Sequence, residues 1–311
     1  MGFEHRPVMV REVIDYLGCK PGGVYVDGTV GGGGHGSEIL KSSSPDGILV
    51  GIDRDEDALG YADKFLKPFG KRVLLVRENF KNVREVLKRL GIKAPDGILL
   101  DLGVSSYQLE TPERGFGFKT DSRLDMRMDR DQRLSAFDLV NGLEAEDLAR
   151  LFRLYGEERF SKRIAKAIVE ARGEKPVETT GELAEIAAKA IPGKFRPRKI
   201  HPATRVFQAL RIAVNDELEN LQTGLIEGLK ALAGGGRLVV ISYHSLEDRI
   251  VKSAFRESST GCVCPREIPR CVCGQKPSAI LLTRKAVAPR PEEVSSNPRA
   301  RSAKLRAVEK L

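Results

Sequence analysis

The sequence predicts an α/β fold: a parallel sheet with helices on both faces, interrupted by an inserted all-helical domain. Three observations predict it. Short apolar runs alternate with helical patterns through the first hundred residues. Those runs lack polar alternation, as strands covered on both faces do. From Thr111 to Leu210 no segment reads as a central strand, and the strand pattern resumes only at Arg237.

Val24–Asp27 reads as the first strand, and a glycine-rich turn, Gly28 to Gly36, follows it. A helix is expected from near Ser37, then a second strand, Ile48–Ile52, running into Asp53. A strand, a glycine turn and a helix N-terminus with an acid ~20 residues on form the layout that binds a nucleotide-like cofactor. Asp55–Lys67 and Val83–Leu90 read as helices, Val73–Val76 and Gly97–Leu102 as strands. Thr111–Asp131, rich in Gly, Asp and Arg, reads as a long loop. Helices follow over Ala136–Gly142, Glu144–Tyr155, Glu157–Arg172 and Thr180–Ile191, with breakers at Gly173–Glu178 and Pro192–Pro202. A helix over Arg211–Leu232, a glycine turn and the strand Arg237–Ser242 resume the first pattern, and Ile280–Ala288 and Ala303–Val308 read as two further strands. The expected domains are therefore 1–110 with 211–311, and the helical insert 111–210, a size typical of an independent domain.

At 311 residues and 41% apolar content the chain can bury a sizeable core. No apolar run approaches the ~20 residues of a membrane span. The first ten residues lack the apolar stretch of a secretory signal, so a cytoplasmic protein without a membrane partner is expected. The net charge of +9 favours a polyanionic partner, nucleic acid first, although a basic surface also serves solubility.

Two ligands suit the glycine turn, a dinucleotide or S-adenosylmethionine. Four consecutive glycines, Gly31 to Gly34, satisfy almost any glycine template, so the turn itself discriminates little. Asp27 discriminates more. A carboxylate at the strand end repels a pyrophosphate but accepts from the ammonium of an amino-acid tail; its alternative role is an N-cap or Asx-turn residue. Asp53 suits ribose hydroxyls. Phe80, just beyond the third strand, can stack on adenine or cap the core. Asp101 ends the fourth strand, so three strands end in acids at the ligand-facing edge of the sheet.

At this point the residues form a wider pattern. His5-Arg6-Pro7-Val8-Met9, Asp27-Gly28-Thr29 with His35, Asp101 to Ser106 with Gln108, Glu113-Arg114-Gly115-Phe116 and Leu124 to Asp129 occur in order. They are followed by Tyr155 to Glu158, His201 to Arg205, His244 to Arg249 and Asn297 to Arg301. In this order and spacing the chain resembles the RsmH (MraW) family of S-adenosylmethionine-dependent methyltransferases, over nearly its whole length. The resemblance implies a Rossmann-like class I methyltransferase fold with an inserted helical domain. It implies N4-methylation of a cytidine in the decoding region of small-subunit ribosomal RNA, with that RNA or the assembled 30S subunit as partner. It also implies that S-adenosylmethionine touches Gly33, Gly34, His35, Asp53, Phe80, Asp101 and Gln108.

Methyl transfer to an exocyclic amine needs a hydrogen-bond acceptor for the amino group and exclusion of water. Many amino methyltransferases use Asp/Asn-Pro-Pro-aromatic after the fourth strand. Asp101-Leu102-Gly103-Val104 lacks those prolines, so the acceptor is sought among Asp101, Ser105 and His244. His244 has an equal claim to be a turn residue. Lys194, Arg196, Arg198 and Lys199 cluster in a Pro/Gly loop and are candidates for phosphate contact. Cys262, Cys264, Cys271 and Cys273 offer a structural zinc site, against the alternative of a reduced loop, since C-x-C pairs point to opposite faces of an extended chain. Two other functions fit parts of the pattern: a nicotinamide-dependent oxidoreductase and a non-catalytic RNA-binding assembly factor. Asp27 counts against the first and the intact cofactor positions against the second.

Overall fold

The computed structural model describes residues 7–196, 200–261, 273–274 and 276–311. The chain divides into two compact units, residues 1–103 with 218–311, and residues 104–217.

The first unit is built on a seven-stranded sheet. Its strands are β1 (Val24–Asp27), β2 (Ile48–Asp53), β3 (Val73–Arg77), β4 (Gly97–Asp101), β5 (Arg237–Ser242), β6 (Ala279–Leu281) and β7 (Lys304–Lys310). The order is β3-β2-β1-β4-β5-β7-β6. β1 to β5 are mutually parallel, and β7 runs antiparallel to both β5 and β6. The strand order reverses between β1 and β4, the switch point where open α/β sheets leave a crevice at their carboxyl ends. Val26, Val50, Leu99, Val239 and Val240 are almost wholly buried because helices cover both faces. The unit's helices are α1 (Val10–Leu17), α2 (Gly34–Ser42), α3 (Glu56–Leu66) and α4 (Val83–Arg89), with α11 (Glu217–Ala231), α12 (Ser245–Ser259) and α13 (Pro291–Ser296) later in the chain.

The second unit contains α5 (Ser106–Glu110), α6 (Ala136–Gly142), α7 (Ala145–Gly156), α8 (Ser161–Glu174), α9 (Thr180–Ala190) and α10 (Thr204–Val214), with no strand among its described residues. Its core joins Leu148 and Phe152 of α7, Ile164 and Ile168 of α8, Leu183 of α9, and Phe207 and Leu210 of α10. The Gly/Asp/Arg-rich stretch before α6 is an ordered loop. Arg114, only 2% exposed, donates from Nη2 to the carbonyls of Arg127 and Met128. A buried guanidinium needs such acceptors, because leaving it unpaired costs several kcal/mol; here two loop carbonyls supply them.

Four segments differ from expectation. α8 begins at Ser161 rather than Glu157, because Glu157 takes φ +48° as the C-cap of α7. α2 begins at Gly34, inside the glycine run, rather than near Ser37, so His35 and Gly36 form its first turn. The helix expected over 211–232 is two: α10 ends at Val214 and α11 (Glu217–Ala231) starts afresh. Asn215 causes the break. Its amide donates to Met126 O at 2.7 Å and Arg211 O at 2.9 Å and accepts from Met128 N at 2.9 Å. The next residue, Asp216, takes φ +48°, which no helix continues through. The strand expected over Ile280–Ala288 stops at Leu281. Beyond it the amides of Leu282 and Thr283 both donate to Ala307 O, at 3.0 and 3.3 Å, a bulge that ends the ladder. Only the bridge Val287–Leu305 resumes it.

Parallel β1 to β5 with an antiparallel β7 inserted before β6 and helices on both faces is the Rossmann-like, class I methyltransferase architecture. Among the described residues no helix is long and apolar enough to cross a membrane.

Candidate active site

In the first unit, Asp27, Asp53 and Asp101 close the three adjacent strands β1, β2 and β4. The turn after β1 is held by its own amides. Val30 N donates to Ile52 O at 3.0 Å and Gly33 N to Val30 O at 2.8 Å. Gly33 has φ +88°, a conformation for which glycine is the natural residue. Asp53 secures the turn directly, accepting from Gly31 N and from Asp55 N, both at 2.9 Å. Gly34 opens α2, so the turn leads into a helix N-terminus.

Asp27 is 1% exposed and, among the described residues, accepts one hydrogen bond, from Thr29 N at 3.2 Å. Burial pushes its carboxyl up to about 7, while His35 and the Thr29 amide pull the other way. Burial also raises Asp53, to about 6, against the amides of Asp55 and Gly31.

His35 is 5% exposed, with Nε2 3.4 Å from Asp101 Oδ2. That is ion-pair distance but not hydrogen-bond geometry, and neither ring nitrogen has a hydrogen-bond partner among the described residues. Burial alone would lower His35, but Asp101 beside it, with Asp27, holds it above the ordinary histidine value. Asp101 Oδ1 accepts from the Tyr243 hydroxyl at 2.7 Å, and Asp101 N donates to Thr29 Oγ1 at 2.7 Å. Burial and then Asp101 raise Tyr243 well above the usual phenol range, so it stays a neutral donor.

Phe80 is half-buried against the core cluster of Val26, Val50, Leu100 and Leu221. It lies across α11 at Gly224, where any Cβ would come 2.5 Å from Phe80 Cδ2. His244 is the N-cap of α12: Nδ1 accepts from Glu247 N at 3.4 Å, and Glu247 Oε2 accepts from Tyr243 N at 2.8 Å and His244 N at 3.3 Å. Its Nε2 stands 3.1 Å from Glu247 Oε1.

The structure thus brings together Asp27, Gly33, Gly34, His35, Asp53 and Asp101. Ser105 and Gln108 belong to the second unit, where they form the capping box of α5: Ser105 Oγ accepts from Gln108 N, and Gln108 Oε1 from Ser105 N. Lys194 and Arg196 are exposed there, and Arg196 Nε donates to Ile191 O at 3.1 Å. Arg198 and Lys199 lie outside the described residues. So do Cys262, Cys264 and Cys271, while Cys273 is exposed.

Sequence reasoning missed Tyr243 and Thr29. Tyr243 directly follows β5, so the strand-end rule that singled out Asp101 points to it too. Thr29 was named only as part of the Asp27-Gly28-Thr29 motif, without a role.

A buried carboxyl raised to about 7, with one amide partner among the described residues, beside a second that accepts from a glycine turn, fits a ligand carrying an ammonium and a ribose. S-adenosylmethionine carries both. The sequence matches the MraW methylase family over residues 2–311. A protein named ribosomal RNA small subunit methyltransferase H from Geotalea daltonii is 56% identical over 309 residues, covering 99% of each chain. One of the same name from Geobacter sulfurreducens is 56% identical over 311 residues, covering 100% of each. Among solved structures, an rRNA methylase from Streptococcus thermophilus aligns over 100% of this chain and 99% of its own, at 11% identity and a TM-score of 0.43. The turn, the acids at the strand ends and the full-length match place this chain in the MraW methylase family.

Proposed function

We propose that the protein transfers a methyl group from S-adenosylmethionine to the N4 amino group of a cytidine in the decoding region of small-subunit ribosomal RNA. The carrying observation is the row of Asp27, Asp53 and Asp101 at the carboxyl ends of adjacent strands, with Asp27 buried and raised to about 7. The names borne by relatives 56% identical over the whole chain support the RNA substrate.

S-adenosylmethionine supplies an electrophilic methyl on a good leaving group. The protein's residues do the rest. Asp27 receives the ammonium, and the desolvation that raises its carboxyl is offset by that charge. Asp53 accepts from ribose hydroxyls while its amide partners fix its orientation. Gly33, Gly34 and His35 lie along the turn at the mouth of α2, and the edge of Phe80 offers an apolar surface to adenine. The cytosine must be unpaired or flipped to reach such a site. Asp101 is the best-placed acceptor for its amino group, because the Tyr243 hydroxyl fixes one carboxylate oxygen and His35 stands at ion-pair distance from the other. Holding N4 in line is the main service, since its lone pair is delocalised into the ring. Ser105 and His244 remain candidates for the same role, and Gln108 for a cofactor contact. The first unit is assigned cofactor binding and the second RNA recognition, with Lys194, Arg196, Arg198 and Lys199 as phosphate contacts. A zinc on Cys262, Cys264, Cys271 and Cys273 is decided by metal analysis of reduced, purified protein.

The test is methyl transfer to small-subunit particles and to naked ribosomal RNA, with the product nucleoside mapped. N4-methylcytidine at one position supports the proposal; methylation elsewhere, or none, overturns it. Calorimetric titration with S-adenosylhomocysteine and NAD separates it from an oxidoreductase.

A further inference from the structure

We infer that Phe195, with Arg159 and Lys194 beside its ring, is a stacking platform for one nucleobase of a single-stranded RNA segment. The inference rests on the RNA reading above and adds to it a base contact where only phosphate contacts were expected.

Phe195 is 43% exposed, although a free phenyl ring in water is unfavourable. It sits at the end of a tight turn, Gly193–Phe195, closed by Phe195 N to Pro192 O at 2.9 Å and Arg196 N to Gly193 O at 3.2 Å. Arg196 Nε also returns to Ile191 O, so the turn is braced from within. On its inner side the ring meets Phe160, with centroids 5.4 Å apart at 38°. Phe160 in turn packs on the core of the helical unit, and its amide is fixed by Glu158 Oε1 at 2.7 Å. The platform is therefore anchored rather than loose.

Two exposed cations attend the ring. The Arg159 guanidinium lies 5.4 Å from the Phe195 centroid and Lys194 Nζ lies 5.0 Å from it. Arg159 also lies 5.8 Å from the Phe160 ring. The chain holds no acidic residue from Ile191 to Asn215, nor from Arg159 to Val169. On the first turn of α8, Lys162 and Arg163 are exposed as well. An exposed apolar ring among cations does not suit an apolar protein partner, which would bury those charges unpaired. It suits a ligand that is planar and aromatic and carries anionic groups a sugar's length from the ring. That is the chemistry of a nucleotide chain, where bases stack on aromatic faces and phosphates meet Lys and Arg.

The test compares Phe195→Leu with Phe195→Tyr in the full-length protein. Binding of a fluorescent oligouridylate and of an abasic chain with the same number of phosphates is measured at one salt concentration. The wild type is expected to prefer the oligouridylate, and Phe195→Leu to lose that preference, weakening about tenfold for the base-bearing chain only. Phe195→Tyr keeps it, and binding of S-adenosylhomocysteine is unchanged in both variants, which shows that they fold. A Phe195→Leu protein that still prefers the base-bearing chain overturns the platform and leaves the RNA reading standing. A wild type that binds neither chain nor small-subunit particles overturns both. Competition by polyglutamate, undiminished by RNA, identifies an acidic protein partner instead and also overturns the platform.

Discussion

The hydroxyl of Tyr243 donates to Asp101 Oδ1 at 2.7 Å, joining two residues 142 positions apart in the chain. It ties the segment after β5 to the end of β4 and leaves Asp101 held between Tyr243 and His35. Replacing Tyr243 by Phe removes only this bond. Because the acceptor is a carboxylate, roughly 1.5–3 kcal/mol of stability is at stake. The variant is expected to stay folded with a lower Tm and to lose about tenfold in kcat, with the affinity for S-adenosylhomocysteine little changed. Thermal unfolding and single-turnover methyl transfer measure the two effects.

Asp27 predicts a pH dependence. Its carboxyl is raised to about 7 in the ligand-free protein and is lowered again by an ammonium partner. Cofactor binding therefore expels a proton below pH 7. Affinity should rise with pH, by at most about tenfold per unit, and level off above about 7. Asp53, raised to about 6, adds an earlier step. Calorimetry of S-adenosylhomocysteine binding in buffers of different ionisation enthalpy reads the proton directly; a flat profile would count against Asp27 as the ammonium site.

The same shift bears on stability with the opposite sign. A carboxyl whose folded value lies above its unfolded one stabilises the fold at low pH, and that contribution is lost as pH rises from about 4 through about 7. Asp27→Asn should therefore raise the Tm of the ligand-free protein above pH 7 while weakening cofactor binding at least tenfold. Paired melting curves with and without S-adenosylhomocysteine show both.

His244 can be separated from its cap. His244→Ala removes the α12 N-cap and leaves the 2%-exposed Glu247 without its imidazole. It should cost about 1–2 kcal/mol. His244→Asn preserves a capping side chain and should unfold within about 0.5 kcal/mol of the wild type. If His244→Asn methylates at the normal single-turnover rate, the residue is structural and leaves the list of acceptors.

Gly224→Ala places a methyl 2.5 Å from Phe80 Cδ2. The ring must move, at a cost of about 1–3 kcal/mol. Weaker binding of S-adenosylhomocysteine in this variant, beyond the effect on stability, is the outcome expected if Phe80 borders the adenine.

Neutralising Lys194, Arg196, Arg198 and Lys199 together should weaken RNA binding and flatten its salt dependence by up to about 0.7 per lost phosphate contact. An unchanged slope removes this loop from the interface.

Much of the sheet was legible in the chain. Val24–Asp27 and Arg237–Ser242 are strands to the residue, because short apolar runs that follow glycine turns leave few alternatives. Ala136–Gly142 is likewise a helix to the residue, and the structure shows it capped by Ser135. The acids at the strand ends followed from the same local rule, and the motif order pointed to the family. Tertiary structure decided what depends on partners distant in sequence. The helix expected over 211–232 is locally plausible, and it breaks because Asn215 finds the carbonyl of Met126 and the amide of Met128 nearly ninety residues away. The strand expected past Leu281 fails because two amides compete for Ala307 O. Asp27 is marked by its position in the chain, yet its carboxyl near neutrality is a consequence of burial, which no local pattern encodes. Tyr243 becomes a partner of Asp101 only when β4 and β5 pair. Strands and turns express short-range sterics and periodicity, whereas the electrostatics of a site are set by what the folded chain brings within a few ångströms.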